Sequence, residues 1–188
     1  LKSVGLILAE DGRKMSKRYG NVINPDDIVS QFGADALRVY EMFMGPFEQA
    51  IAWSTDGLVG ARRFMERVVR LKEKVDSQRA SHNPHLETLM HQTIKKVGDD
   101  IETFRMNTAI SALMIYSNAL EKENAISQEA YETLLLLLAP FAVFLTEELW
   151  EELGRGSSIH SASWPAFDPE KTVGEEVVIA IQINRKVR

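Results

Sequence analysis

From Leu86 onward the apolar residues return every three or four positions, segment after segment, and that period constrains the fold more than any other feature. Leu86, Leu89, Met90, Ile94, Val97 and Ile101 line one face of a helix. Ile110, Leu113, Met114 and Leu120 do the same for a second, with Asn107 as its expected N-cap. Gln128 to Leu138 and Phe141 to Leu153 make two more, parted at Ala139-Pro140 and closed by Gly154. A helix apolar along one stripe must bury that stripe, so such segments on short connections predict an antiparallel bundle. Upstream, Ser54 with Asp56 opens a long helix on which Phe64, Val68, Leu71 and Val75 keep the same spacing. The leucine run Leu134 to Leu138 is bundle core, because the uncharged stretch around it, Thr133 to Thr146, is too short to span a bilayer.

Ahead of the bundle the signals are shorter. Val4 to Ala9 reads as a strand entering the turn Glu10-Asp11-Gly12. Asn24-Pro25-Asp26-Asp27 is a helix start, with Asn24 as N-cap and two acids in the first turn. That helix should stop near Phe32 with Gly33 as a left-handed terminator, and a second should run from Ala34 to Met44 before Gly45-Pro46. Ser77 to Pro84 is a polar break, and Val177 to Val187 reads as a strand with nothing left to pair against. The expected fold is mainly α, with short β segments at both ends.

Composition excludes several classes of function. There is no cysteine, so disulfide scaffolds, thiolate zinc sites and cysteine nucleophiles are out. The net charge of −5 is uneven: residues 1–80 carry 13 Lys/Arg against 11 Asp/Glu, and the remainder is strongly acidic. A globally basic nucleic-acid binder is excluded, while a local basic patch in the first eighty residues is not. His82, His85, His91 and His160 lack the companions of a metal site, and none is expected. Trp53, Trp150 and Trp164 read as packing anchors, since none sits in a basic cluster. Nothing at the amino end reads as a signal peptide, and Leu1 falls mid-pattern, as in a piece of a longer chain.

Two basic features carry chemistry. Lys14-Met15-Ser16-Lys17-Arg18 lies on a loop, where two lysines three apart can reach one polyphosphate; its plainer reading is a solvated turn. It is not a Walker A loop, whose pattern occurs nowhere in the chain. On the long helix Arg63, Arg67 and Arg70, with Arg62 adjacent, lie along one line. They either face solvent and pair with acids such as Glu66 and Glu73, or meet successive phosphates of an RNA backbone.

The run Asp11-Gly12-Arg13-Lys14-Met15-Ser16-Lys17, then Gly20-Asn21-Val22 and Pro25, then Gly33-Ala34-Asp35-Ala36-Leu37-Arg38, resembles the KMSKS region of class I aminoacyl-tRNA synthetases. Tyr40 to Pro46, Trp53-Ser54 and Gly57 to Leu71 narrow the resemblance to the bacterial leucyl-tRNA synthetase family. Phe104 to Ile110 and Thr146-Glu147-Glu148-Leu149-Trp150 are similar to that family's helical anticodon-binding domain, and Trp164-Pro165 with Gln182 to Arg188 to its passage into a small C-terminal domain. Three departures stand out. Arg18 replaces the last serine of the motif, and Val143-Phe144 replaces Pro-His, which should alter only a helix start. Arg185 replaces the glycine after Asn184, which suits a type I′ hairpin poorly.

The resemblance implies a division into 1–52 (end of the catalytic domain, with the KMSKS loop and stem-contact helices), 53–155 (the tRNA-binding bundle) and 156–188 (linker and first strand of a further domain). It implies an ATP site of Lys14, Met15, Ser16 and Lys17, with Lys17 and Lys14 acting in catalysis, and a tRNA face of Arg62, Arg63, Arg67 and Arg70. It implies a cytoplasmic, monomeric leucine–tRNA ligase using ATP with Mg2+, in which this segment binds no metal, touches no membrane and meets tRNA-Leu. Alone the segment should be inactive, because the family's second ATP motif, leucine pocket and editing domain lie elsewhere. The competing readings are an acidic helical protein-interaction module and the same region of a valyl- or isoleucyl-type synthetase.

Overall fold

In a computed structural model, residues 4–76, 78, 83–173, 182–183 and 186–187 are described. Among them the elements run β1 (Ile7–Leu8), α1 (Pro25–Phe32), α2 (Ala34–Phe43), β2 (Ile51–Ala52), α3 (Thr55–Leu71), α4 (Pro84–Glu102), α5 (Met106–Lys122), α6 (Gln128–Leu138), α7 (Val143–Glu152), β3 (Gln182–Ile183) and β4 (Lys186–Val187). The mainly α expectation holds.

Local capping chemistry sets several boundaries. The Asn24 side chain accepts from the Asp26 amide at 3.2 Å ahead of Pro25, and Ser54 Oγ accepts from the Gly57 amide at 3.1 Å. Gly33 corrects its expectation. Its φ of 90° is positive, but its ψ of 153° is extended, so it does not end α1 in the left-handed conformation. It swings the chain straight from α1 into α2, in a backbone region essentially confined to glycine.

The start of α5 is a second correction. Asn107 is not its cap; the helix begins at Met106 behind Arg105, which makes no side-chain capping bond. Phe104, at φ 60°, reverses the chain instead. The Asp100 carboxylate, fully buried, ties that turn by accepting from Thr108 Oγ1 at 2.6 Å, pairing with Arg105 Nε at 3.1 Å and meeting Lys96 Nζ.

The core is one cluster in which Leu58, Val68, Leu113, Leu120, Leu134 and Leu138 are entirely buried. Each such side chain contributes about 1.5–3 kcal/mol of transfer free energy. Two buried tyrosines keep their hydroxyls satisfied: Tyr131 donates to the Val68 carbonyl and Tyr116 to the Ala130 carbonyl, each at 3.1 Å. Burial pushes both phenols well above their ordinary pKa, so they stay protonated as donors. Trp53 and Trp150 are buried as expected, but Trp164 is 44% exposed.

Helix α2 joins this core and packs against α3, α5 and α7. Two of its polar residues, one turn apart, hold the α6–α7 corner. Asp35 Oδ2 accepts from the Phe144 and Leu145 amides at 3.0 and 2.7 Å, supplying from outside the N-cap that α7 lacks. Arg38 donates to the Phe141 and Pro140 carbonyls at 3.3 and 3.1 Å.

The β segments are smaller than expected. Of Val4 to Ala9 only Ile7–Leu8 is strand, paired in parallel with Ile51–Ala52, which the sequence had not marked. At the far end the chain folds back on itself: Gln182 pairs with Val187 and Ile183 with Lys186 in antiparallel register. The expectation that this stretch has nothing to pair against is corrected: its two described pieces pair with each other. Positions 177–181, 184, 185 and 188, and His82, lie outside the described residues.

Candidate functional site

The basic loop is rooted at the entrance to α3. Thr55, the first residue of that helix, donates through its hydroxyl to Glu10 Oε1 at 2.7 Å. The Asp11–Gly12 turn closes with the Gly12 amide on the Ala9 carbonyl at 2.8 Å and the Ala9 amide on the Arg13 carbonyl at 2.9 Å. Arg13 donates to Asp11 through Nε at 2.7 Å and lies 5.1 Å from the centre of the Tyr19 ring. The hydrogen bonds from Arg13 hold the Asp11 carboxyl below its usual range.

Beyond that root, Ser16 opens a single 3-10 turn over Lys17–Tyr19, its Oγ accepting from the Arg18 amide at 3.3 Å. Gly20 ends the turn at φ 63°, a conformation that favours glycine. Asn21 then reaches back. Its Oδ1 accepts from the Ser16 amide at 2.8 Å, and its Nδ2 donates to the Lys14 carbonyl at 3.4 Å. Lys14 and Lys17 are exposed, and neither makes an ion pair among the described residues. Sequence reasoning gave roles to the two lysines and quoted Asn21 only as part of the run Gly20-Asn21-Val22, without a role.

A cleft of about 410 Å³ opens beside the loop, lined by Glu10, Asp11, Asn21, Val22, Trp53 and Thr55 among others. Its charged side chains are acidic and neither lysine lines it, so it does not suit a polyphosphate. The loop's exposed cations, Lys14, Lys17 and Arg18, all lie outside the cleft's lining.

The four arginines of α3 are not equivalent. Arg62 is held by Glu66 at 3.0 Å and donates to the Phe32 carbonyl at 2.9 Å, across from α1. Arg67 and Arg70 share one carboxylate, Glu121 of α5, at 2.8 and 3.5 Å. Arg63 is exposed and makes no ion pair among the described residues. Close by, Lys74 Nζ donates to the Glu121 and Glu123 carbonyls at the end of α5. The pairing with Glu121 was not legible, because only the folded bundle brings α5 beside α3.

Two of the histidines take structural places. His91, nearly buried, accepts at Nδ1 from the Asp168 amide at 3.2 Å, and His160 lies 3.3 Å from the Val143 carbonyl. Among the described residues no three His, Cys, Asp or Glu side chains converge as a metal site, and no helix is long and apolar enough to cross a membrane.

Comparison with known proteins gives this geometry its setting. The family described as the anticodon-binding domain of tRNA ligase matches residues 84–188, and that described as tRNA synthetases class I (I, L, M and V) matches residues 1–54. A leucine–tRNA ligase of Chlorobium phaeovibrioides is 48% identical over 190 residues, covering 98% of this chain and 24% of the relative. Another, of Alkaliphilus oremlandii, is 49% identical over 187 residues, covering 99% of this chain and 23% of the relative. The chain therefore spans about a quarter of the length of the curated relatives it matches. Among solved structures it is similar to the Agrobacterium radiobacter K84 agnB2 LeuRS in a ternary complex with tRNA and LeuAMS. The TM-score there is 0.83 at 32% identity, covering 98% of this chain and 26% of that one. With matches that together take in the loop and the bundle, the chain belongs to the anticodon-binding domain family of tRNA ligases, joined to a segment of the class I synthetase family and similar throughout to leucine–tRNA ligases.

Proposed function

We propose that this chain serves a cytoplasmic, monomeric leucine–tRNA ligase by supplying the cations of its ATP site and a surface for tRNA-Leu. The supporting observation is the pair Lys14 and Lys17: both exposed, both without an ionic partner among the described residues, on a loop closed by Asn21. In the first step of the reaction a carboxylate oxygen of leucine attacks the α-phosphorus of ATP, and the bond to the bridging oxygen of the departing pyrophosphate breaks. Negative charge gathers on that leaving group, so an ammonium placed there stabilises the transition state more than the ground state. Lys17 is the principal such cation and Lys14 its support, with the Met15-Ser16 backbone beside the nucleotide. Mg2+ enters with the phosphates of ATP and is assigned no ligand in this chain. In the second step a hydroxyl of the terminal adenosine of tRNA takes the leucyl group and releases AMP.

On this reading residues 1–52 close the catalytic domain, 53–155 hold the tRNA and 156–188 lead into a further domain. The bundle grips tRNA through phosphates rather than base edges. Arg63 is the first contact. Arg67 and Arg70, two cations on one carboxylate, leave a positive charge to share, while Arg62 is committed to Glu66 and the Phe32 carbonyl.

The test is leucine-dependent ATP–pyrophosphate exchange in the full-length ligase carrying this segment. Lys17→Ala should lower the rate by about two to three orders of magnitude, the scale of losing one charge-stabilising donor. Near-normal exchange removes the assignment. The isolated 188-residue chain should show no exchange, and measurable turnover by it would show that the reaction needs nothing beyond this segment.

A further inference from the structure

We propose that Asn21 is a positioning residue for the lysine pair, a clasp that makes residues 14–21 a closed unit and sets the spacing of the two ammoniums. The inference rests on the reading of the loop as an ATP grip and deepens it. One side chain holds the start of the segment that bears the lysines: Oδ1 takes the Ser16 amide at 2.8 Å, and Nδ2 reaches the Lys14 carbonyl at 3.4 Å. After Ser16 the 3-10 turn, with Lys17 as its first residue, and the left-handed Gly20 bring the chain round so that Asn21 can make both bonds. No side chain from Asp11 to Asn21 is fully buried; Met15 packs part of its side chain against the core, and the polar residues around it are held by hydrogen bonds.

That arrangement has a chemical consequence. A backbone N–H donates one good hydrogen bond, and the Ser16 amide gives its own to Asn21. In this conformation the loop offers a phosphate its cationic side chains, Lys14 on the clasped segment and Lys17 on the first residue of the turn, with exposed Arg18 beside it. A loop that closes over ATP as a body places both cations at once. The same residues without the clasp must order each lysine separately, and that loss of freedom opposes the transition state. The amide side chain supplies the acceptor and the donor from two separate atoms of one planar group. Aspartate keeps the first bond and loses the second; alanine loses both.

The experiment measures leucine-dependent pyrophosphate exchange in the full-length ligase for Asn21→Ala, Asn21→Asp, Lys17→Ala and the Lys17→Ala/Asn21→Ala double variant. Asn21→Ala should lower kcat about tenfold with the KM for leucine unchanged, and Asn21→Asp about threefold. On the Lys17→Ala background the loss of Asn21 should cost less than about twofold, because the principal of the two cations it positions is gone. A full tenfold loss on that background would mean that Asn21 acts elsewhere, and the clasp falls. A wild-type kcat in Asn21→Ala beside a crippled Lys17→Ala overturns the clasp alone. Normal exchange in Lys17→Ala overturns the reading of the loop and takes the clasp with it.

Discussion

The loop from Asp11 to Asn21 and the bundle from α3 to α7 are held by opposite means. In the loop no side chain is fully buried: Met15 lays part of its side chain on the core, and the rest is held by a few side-chain hydrogen bonds within eleven residues of chain. In the bundle the tie is area, with apolar side chains from every helix, Leu58, Val97, Leu113, Leu134 and Leu149 among them, buried in one cluster. Burial is non-directional and summed over many contacts, so it resists displacement everywhere at once. A few exposed hydrogen bonds, each worth about 0.5–1.5 kcal/mol net, can be made and broken by a ligand of ordinary affinity. The proposed chemistry is thus assigned to the weakly held region, and the scaffold to the strongly held one.

The sharpest way to break that contrast is to strike each region and watch both readouts. Leu113→Ala or Leu134→Ala, at entirely buried sites, should cost about 2–5 kcal/mol of unfolding free energy, read as a fall in denaturant midpoint. Lys14→Ala and Lys17→Ala should leave stability within about 0.5 kcal/mol while lowering exchange activity. A lysine variant that melts like a core variant would mean the loop is part of the scaffold, and the contrast would be lost.

Asp35 lies between the regions. It follows α1 in sequence, yet its carboxylate caps α7 across 109 and 110 residues of chain. Asp35→Ala leaves two amides without their acceptor at a nearly buried site and should cost about 1–2 kcal/mol. Asp35→Asn keeps an acceptor, gives up the charge near the helix N-terminus, and should lose about half as much. Equal losses in both variants would show that the charge, rather than the bond, is what α7 needs.

What the sequence made legible follows the range of the forces. The caps at Asn24 and Ser54 and the apolar stripes of α3 to α7 are set within a turn or two, and they were readable. The parallel pairing of Ile7–Leu8 with Ile51–Ala52 joins segments separated by two helices, and two residues of strand carry no period. Asp35 on α7 and Glu121 between two arginines exist only once helices distant in sequence have met. In the loop the lysines were visible as composition. The clasp was not, because an asparagine beside a glycine reads as a turn whichever atoms it holds.

Phe104 tests a smaller effect inside the rigid region. A phenylalanine at φ 60° occupies a backbone conformation that costs an L-residue about 1 kcal/mol relative to glycine, and its ring is 47% exposed. Phe104→Gly should raise unfolding free energy by about 0.5–1 kcal/mol. A loss instead would show that the ring's contacts outweigh the strain of its backbone.

The smallest effect on stability is the most informative about RNA. Glu121 occupies Arg67 and Arg70 at 2.8 and 3.5 Å, in pairs whose side chains are 24–58% exposed. Ion pairs that exposed are worth about 0.2–1 kcal/mol, so Glu121→Gln should lower stability by no more than that. Its effect on tRNA should have the opposite sign. Removing one anion from between two guanidiniums strengthens the field at the helix face. A salt titration of tRNA binding should then show tighter association at low salt, with the slope of log affinity against log salt steeper by about one. Arg63→Ala should move that slope the other way by a similar amount and leave stability unchanged. If Glu121→Gln weakens tRNA binding, or changes stability alone, the arginines of α3 serve to pin α5 to α3, and the phosphates are met by another surface.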